Sequence, residues 1–351
     1  MNNYGHLTYP EISSQAEALQ AALEQLKVQR DWIHRYFASH LYDEVIFIGS
    51  GSSFYQAQVM ASTYRRWLGK SAIALPSSEI FLFNDHHTLA SKKYLLVGVS
   101  RSGESTEVMM ALKSVQSRAN WTLCGVTCHV ESAMYQLVPC LLSPQGKERS
   151  TVMTKSFSSM TFMVQAAIAI ASGHSHYVDQ MVTVSKLSEI VTKQAQAFAI
   201  QLTQAELYKN YVYLGMATYY GLAQEACLKL KEMSYVWTES YGTLEFRHGP
   251  KSIIEKGSFV CVFVSEQARS YELKVAEEMQ QYGATILLVT ARRGADTQFA
   301  DYVFEIGGAE LSDDARSVLY LPIVQYFGYY TALKKQVDPD HPRNLTQVVK
   351  I

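Results

Sequence analysis

Two stretches, IFIGSGSSFYQAQ (residues 46–58) and VYLGMATYYGLAQ (residues 212–224), read as copies of one unit separated by 166 positions. Gly49 meets Gly215, Ser52 meets Thr218, Ala57 meets Ala223 and Gln58 meets Gln224. In each copy an apolar run ends at a glycine, a short turn follows, and an amphipathic pattern begins. That order is strand, tight loop, helix. The next strand repeats too: LVGVS (96–100) matches CVFVS (261–265) at an offset of 165. A self-similar period of this kind marks a duplicated structural unit.

Working outward, continuous apolar strands are expected at 44–48, 72–75, 94–99, 122–127 and 140–143 in the first half. Four more are expected at 211–215, 258–264, 284–290 and 302–306. Helical patterns fill the intervals from after Ser53 to about 68 and at 105–117, 155–171, 219–235, 267–282 and 316–335, with further helices at 12–38 and 177–207. Alternating helices and uniformly apolar strands predict an α/β fold whose mainly parallel sheets are covered by helices on both faces. The expected division is 1–30 as an N-terminal helical segment, 31–175 and 176–336 as two duplicated domains, and 337–351 as a tail.

The 351 residues are 48% hydrophobic and 18% charged, with net charge −1. A chain of that length and apolar content can fill two cores. The balanced charge argues against nucleic acid or a membrane surface as partner. No run of residues is long and apolar enough for a membrane span. MNNYGHLTYPEI lacks a basic head followed by an apolar run, so no signal peptide is expected and a cytoplasmic location is. Five scattered cysteines (Cys124, Cys128, Cys140, Cys227, Cys261) form no zinc pattern and read as reduced, buried thiols. No metal site is expected.

Two loops in the first half have the chemistry of an anion cradle: Ser50-Gly51-Ser52-Ser53 after Gly49, and Ser100-Arg101-Ser102-Gly103-Glu104-Ser105. Glycines admit a close anion, hydroxyls donate, and N–H groups at a helix start favour negative charge. Position 54 is Phe, so the first loop is not a dinucleotide fingerprint, and without Lys-Ser/Thr it is not a P-loop. Serines serving only as helix caps are the bland alternative. The second copy has Met216-Ala217-Thr218 and Ser265-Glu266-Gln267-Ala268-Arg269-Ser270, with far fewer donors, so one anion site per chain is expected, in the first half.

In AQEACLKLKEMSYVWTESYGTLEFRHGP (223–250), Glu225, Lys229 and Glu232 recur at spacings that fall within about 60° on one side of a helix. The apolar residues Leu222, Ala226, Leu230 and Met233 adjoin them, so the trio borders a buried face where carboxylate pKa values shift. An ordinary surface Glu–Lys pair is the alternative.

Together, GSGSS, SRSGES, the duplication, EACLKLKE and EFRHGP resemble the tandem SIS (sugar isomerase) domain family. The likeness is to the isomerase half of the glutamine–fructose-6-phosphate amidotransferases and to the stand-alone amino-sugar-phosphate isomerase/deaminases of the tagatose-6-phosphate ketose/aldose isomerase type. It runs from about residue 30 to DPDHPRNL (338–345). The resemblance implies that 31–175 and 176–336 are SIS domains and that Ser50, Gly51, Ser52, Ser53, Ser100, Arg101, Ser102, Gly103, Ser105 and Thr154 bind a sugar phosphate. It implies that Glu232 moves a proton between C1 and C2, that Glu225 and Lys229 stand beside the sugar, and that His248 assists ring opening. The family supplies that histidine from the partner of a homodimer with shared active sites. Arg101 stands where the synthase has Gln, and Gln347 where it has an imine-forming lysine, with Lys350 three residues on. Residue 2 is Asn, not the Cys of a glutaminase half.

The resulting expectation is a phosphosugar isomerase/deaminase that converts galactosamine or glucosamine 6-phosphate to a ketose 6-phosphate with release of ammonia, requiring no cofactor. Alternatives are a fructosamine-6-phosphate deglycase, a plain aldose–ketose isomerase, and a non-catalytic sugar-phosphate sensor. Sensors of this family carry a DNA-binding helix-turn-helix, for which residues 1–30 are too short.

Overall fold

A computed structural model describes residues 4–204 and 207–349. Asn2 and Lys350 lie outside the described residues. The strands are β1 (Glu44–Gly49), β2 (Ala72–Pro76), β3 (Tyr94–Val99), β4 (Trp121–Thr127), β5 (Cys140–Leu142), β6 (Asn210–Leu214), β7 (Thr238–Tyr241), β8 (Ser258–Phe263), β9 (Thr285–Thr290) and β10 (Tyr302–Glu305). They form two five-stranded parallel sheets, ordered β2-β1-β3-β4-β5 and β10-β9-β8-β6-β7. Read from its β7 edge, the second order repeats the first. In both, the chain leaves the first strand to one side and returns on the other, between β1 and β3 or between β6 and β8. Ligands of open parallel sheets bind outside the carboxyl ends at such a reversal.

The ladders give the duplication in coordinates. Val45 pairs with Ala72 as Tyr211 pairs with Thr238, both at an offset of 166. Ile46 pairs with Leu96 as Val212 pairs with Val260, so β3 repeats at 164 (96 to 260), not at the 165 expected from residue matching. The turn that follows repeats at 165, because Ser265 Oγ accepts the Ala268 N–H as Ser100 Oγ accepts that of Gly103. One residue is therefore inserted between strand and turn in the second copy.

Helix Ser52–Leu68 matches helix Thr218–Ser234 end for end. Gly51 opens the first at φ 57° and Gly69 closes it at φ 63°; Ala217 and Tyr235 hold the same positions at φ 50° and φ 54°. A side chain at Gly49 would come within 2.3 Å of the Ser53 backbone, and one at Gly215 within 2.4 Å of Tyr219. Both strand-to-helix turns are thus closed by a glycine that no larger residue can replace.

Two compact units result, each with its own core. One comprises Ser14–Ser185 and the residues from Asn344 on; the other comprises the residues up to Ser13 and Lys186–Arg343. The expected boundary at 175/176 thus falls ten residues later, inside the long helix Ser175–Leu202, and neither chain end forms a unit of its own. Buried Asp340 explains the placing of the first residues: it accepts the N–H groups of Leu7 (2.9 Å) and Thr8 (2.8 Å) and the Thr8 hydroxyl (2.7 Å). In the first unit the apolar helix Lys155–Ala171 packs on helices Gln15–Lys27 and Ser52–Leu68. The other side of its sheet buries Ile46, Ile48 and Leu96 against Val108 and Leu112. In the second unit Val212, Val260 and Val262 are buried with Val275 and Met279.

Two expected helices differ, and one strand is added. The helix expected at 12–38 is three, Thr8–Ser13, Gln15–Lys27 and Arg30–Tyr36. The helix expected at 316–335 gives way to a 3-10 turn at Ser317–Tyr320 and restarts at Leu321, which puts Pro322 in the first turn, where its missing N–H costs nothing. Strand β7 was not expected as a strand. All five cysteines are buried and free. No helix among the described residues is long and apolar enough to cross a membrane, and no group of three or more potential metal ligands occurs among them.

Candidate active site

At the carboxyl ends of β1 and β3, flanking the reversal, stand the two serine loops. Ser52 and Ser53 are buried in the first turn of their helix, yet their hydroxyls make no hydrogen bond among the described residues, nor do the N–H groups of Gly51 and Ser52. Such donors at a helix start suit an anion. The second loop is braced internally. Ser100 Oγ lies 2.9 Å from Ser105 Oγ and accepts the Gly103 N–H at 3.0 Å, and Ser102 Oγ accepts that of Glu104. Gly103 has φ 68°, and a side chain there would meet Ser132 Oγ at 2.2 Å. The turn leaves the N–H groups of Arg101, Ser102 and Ser105 without a partner among the described residues.

Two expected ligands of the anion are otherwise engaged. The Arg101 guanidinium donates to the carbonyls of Ser150 (3.3 Å), Thr151 (3.1 Å) and Val152 (3.3 Å) and pairs with Glu148 at 3.2 Å. Glu148, fully buried at its side chain, also accepts the Thr154 N–H (2.8 Å), the Thr154 hydroxyl (2.7 Å) and the Ser156 hydroxyl. Arg101 and Thr154 therefore build the wall behind the loop. Gln347 binds the same wall, donating to the carbonyls of Arg149 (2.8 Å) and Ser150 (3.2 Å). Residue-type reasoning passed over Glu148 because a lone acid between two basic residues, Lys147 and Arg149, reads as surface.

In the second unit Glu225, Lys229 and Glu232 share one side of helix Thr218–Ser234, as their spacing predicts. Lys229 Nζ hydrogen-bonds Glu232 Oε2 and stands 3.5 Å from Glu225 Oε1. The side chains of Glu225 and Lys229 are 0% and 1% exposed, and that of Glu232 is 17% exposed. A buried ammonium between two carboxylates, one of which reaches solvent, is not a surface ion pair. The chemistry open to it is proton transfer at Glu232. His248 lies apart, exposed in the turn after β7, and its ring makes no hydrogen bond among the described residues.

The loop of the second copy is filled from within. Asp313 accepts the N–H groups of Glu266 (3.0 Å) and Gln267 (3.2 Å), the Tyr219 hydroxyl (3.2 Å) and the Arg316 guanidinium. Glu272 accepts the Ser265 N–H (2.7 Å) and hydroxyl (2.8 Å). Burial, opposed by those bonds, pushes the Glu272 carboxyl up to about 7, and its other oxygen has no partner among the described residues. A carboxylate of the chain itself, Asp313, stands on the N–H groups that match the unpaired ones of Arg101 and Ser102.

The family model described as SIS domain matches residues 42–170 and 208–317. Among curated proteins, the chain is 26% identical to the glutamine–fructose-6-phosphate aminotransferase (isomerizing) of Thermococcus kodakarensis, over 99% of this chain and 58% of that protein. It is 28% identical to the enzyme of that name from Brucella melitensis, over 99% and 59%. The chain thus spans about three fifths of those relatives. Among solved structures, glucosamine-6-phosphate deaminase of Thermotoga maritima superposes with a TM-score of 0.79 at 28% identity, over 98% of this chain and 99% of that one. Tagatose-6-phosphate ketose/aldose isomerase of Escherichia coli superposes at 0.86 over 97% and 96%; at 23% identity that likeness concerns the fold.

Proposed function

The chain belongs to the SIS domain family, and we propose that it is an aldose–ketose isomerase of sugar phosphates that converts a 2-amino-2-deoxyhexose 6-phosphate, galactosamine or glucosamine 6-phosphate, to a ketose 6-phosphate and ammonia. The observation that carries the chemistry is Glu232, a partly accessible carboxylate held by the buried ammonium of Lys229. The likeness to glutamine–fructose-6-phosphate aminotransferases and to a glucosamine-6-phosphate deaminase supports the substrate class.

In this mechanism the phosphate is met by Ser50, Ser52 and Ser53 and by the N–H groups of Gly51, Ser52, Arg101, Ser102 and Ser105, in the turn braced by Ser100 and Gly103. Arg101 and Thr154 shape that loop from behind. His248 assists ring opening, and its exposure suits the sharing of active sites in a homodimer. Glu232 takes the proton from C2 of the open amino-aldose while O1 gains one. Returning a proton to C1 while the nitrogen gives one up yields the ketimine, an isomer of the starting sugar. Water adds to the C2–N bond and ammonia leaves, so the sum is amino-aldose plus water to ketose plus ammonia.

The test is to supply glucosamine 6-phosphate and galactosamine 6-phosphate and to assay ammonia and ketose phosphate. Both products are expected from at least one epimer. Glu232→Gln is expected to lose about 10²–10⁴ in kcat, the usual worth of a positioned base. Absence of both products, with Glu232→Gln altering no other sugar-phosphate turnover, would falsify the assignment.

A further inference from the structure

Behind the anion cradle lies a buried ion pair with no part in the proton chemistry. Arg101 is 8% exposed at its side chain and Glu148 0%. Three carbonyls and one carboxylate oxygen hold the guanidinium, while Glu148 binds Thr154 and Ser156. The backbone of Arg101 belongs to the cradle loop, so its side chain places a full positive charge directly behind the N–H groups that face the ligand. Glu148 opposes that charge. The thiol of Cys128, whose N–H donates to the Arg101 carbonyl, is buried. Burial raises its pKa first and the Glu148 carboxylate next, against Arg101, Lys155 and Lys147. In the second copy the residue matching Arg101 at an offset of 165 is Glu266, so this arrangement belongs to the cradle-bearing copy alone.

We propose that Glu148 is a positioning residue that sets the charge of the cradle: by pairing with Arg101 it cancels the cation behind the loop, so that a phosphoester dianion is held by hydroxyl and N–H dipoles. This rests on the cradle's role as the phosphate site. Moderate affinity follows, suited to a phosphate that must leave with each product. A pair that served only to hold the wall in place would weaken ligand binding whichever partner was removed. A charge-setting pair has opposite signs on its two sides.

The experiment is a calorimetric titration of a hexose 6-phosphate into wild type, Arg101→Gln, Glu148→Gln and the double variant, at low and at high salt. Arg101→Gln leaves Glu148 unopposed and is expected to weaken binding about tenfold, while Glu148→Gln unmasks Arg101 and is expected to tighten it about fivefold with a steeper salt dependence. The double variant is expected within about twofold of wild type, the non-additivity of a coupled pair. If Glu148→Gln does not fold, Arg101→Gln and the double variant carry the test, since restoration in the double supports the pairing and equal weakness overturns it. Weakening in both single variants, with no restoration, also overturns it. Wild type that binds no hexose 6-phosphate at either salt overturns the phosphate assignment itself, together with this inference.

Discussion

The two copies share a backbone and differ in what fills it. In the first, the strand-to-helix turn presents hydroxyls and N–H groups, and the next loop N–H groups, that have no partner among the described residues, at the sheet's reversal. In the second, Asp313 accepts the N–H groups of Glu266 and Gln267, which match Arg101 and Ser102, so that loop is closed from within. The helices diverge the other way: the positions of Glu225, Lys229 and Glu232 are taken in the first copy by Val59, Thr63 and Arg66. Duplication supplied two equivalent frames, and under the proposed function side chains at a few positions give the first an anion site and the second a proton-transfer site. Function in such a fold is read from those side chains, not from the frame.

The largest effect that tests this division is at the helix. Glu232→Gln is expected to lower kcat about 10²–10⁴-fold, whereas Arg66→Gln, at the matching position of the first copy, is expected to change it less than about twofold. A comparable loss from Arg66→Gln would erase the distinction. Next come the loops. Ser52→Ala combined with Ser53→Ala is expected to raise KM for the sugar phosphate about 10–100-fold, the worth of one or two hydrogen bonds to a charged group. Thr218→Ala should leave KM within about twofold and cost no stability, because its buried hydroxyl has no partner among the described residues to lose. A KM that follows Thr218 would put the anion in the wrong copy.

A third effect is on stability. The carboxyl of Glu272 is raised to about 7 by burial, so the folded protein keeps a proton that the unfolded chain releases near the ordinary value of about 4.3. The associated stability is complete below that lower value and is lost as pH rises through about 7. Glu272→Gln is expected to flatten this decline in denaturant unfolding between about pH 4.5 and pH 7, and an unchanged slope would remove Glu272 as its cause. The smallest effect concerns the turns. Gly51→Ala puts a side chain at φ 57° and is expected to cost about 1 kcal/mol, while Ala217→Gly relieves φ 50° and is expected to gain a similar amount. Changes of the same sign would mean that the two turns are not equivalent.

The frame was largely legible in the sequence because apolar runs and helical periods leave little choice. Strand β7 escaped because TESY is polar and lies at an edge, yet the repeat already held it: Ala72 of β2 projects onto Thr238 at the offset of 166. The trio on helix Thr218–Ser234 was legible from spacing alone, since three positions on one helix need no knowledge of the rest of the chain. Side-chain directions in loops were not. Arg101 looks like a phosphate ligand until three carbonyls and Glu148 are seen to hold it, and nothing in DDAR (313–316) announces that Asp313 reaches the amides of Glu266 and Gln267. Such partners lie some 47 residues apart, and their pairing follows from how strand ends converge.

The central claim, one anion site per chain and that in the first copy, is tested most directly by titrating a hexose 6-phosphate into wild type and into two variants by calorimetry. The account predicts a single site per chain, lost in Ser52→Ala combined with Ser53→Ala and retained in Thr218→Ala. Two sites per chain, or a single site that survives the serine substitutions and disappears with Thr218, would contradict it.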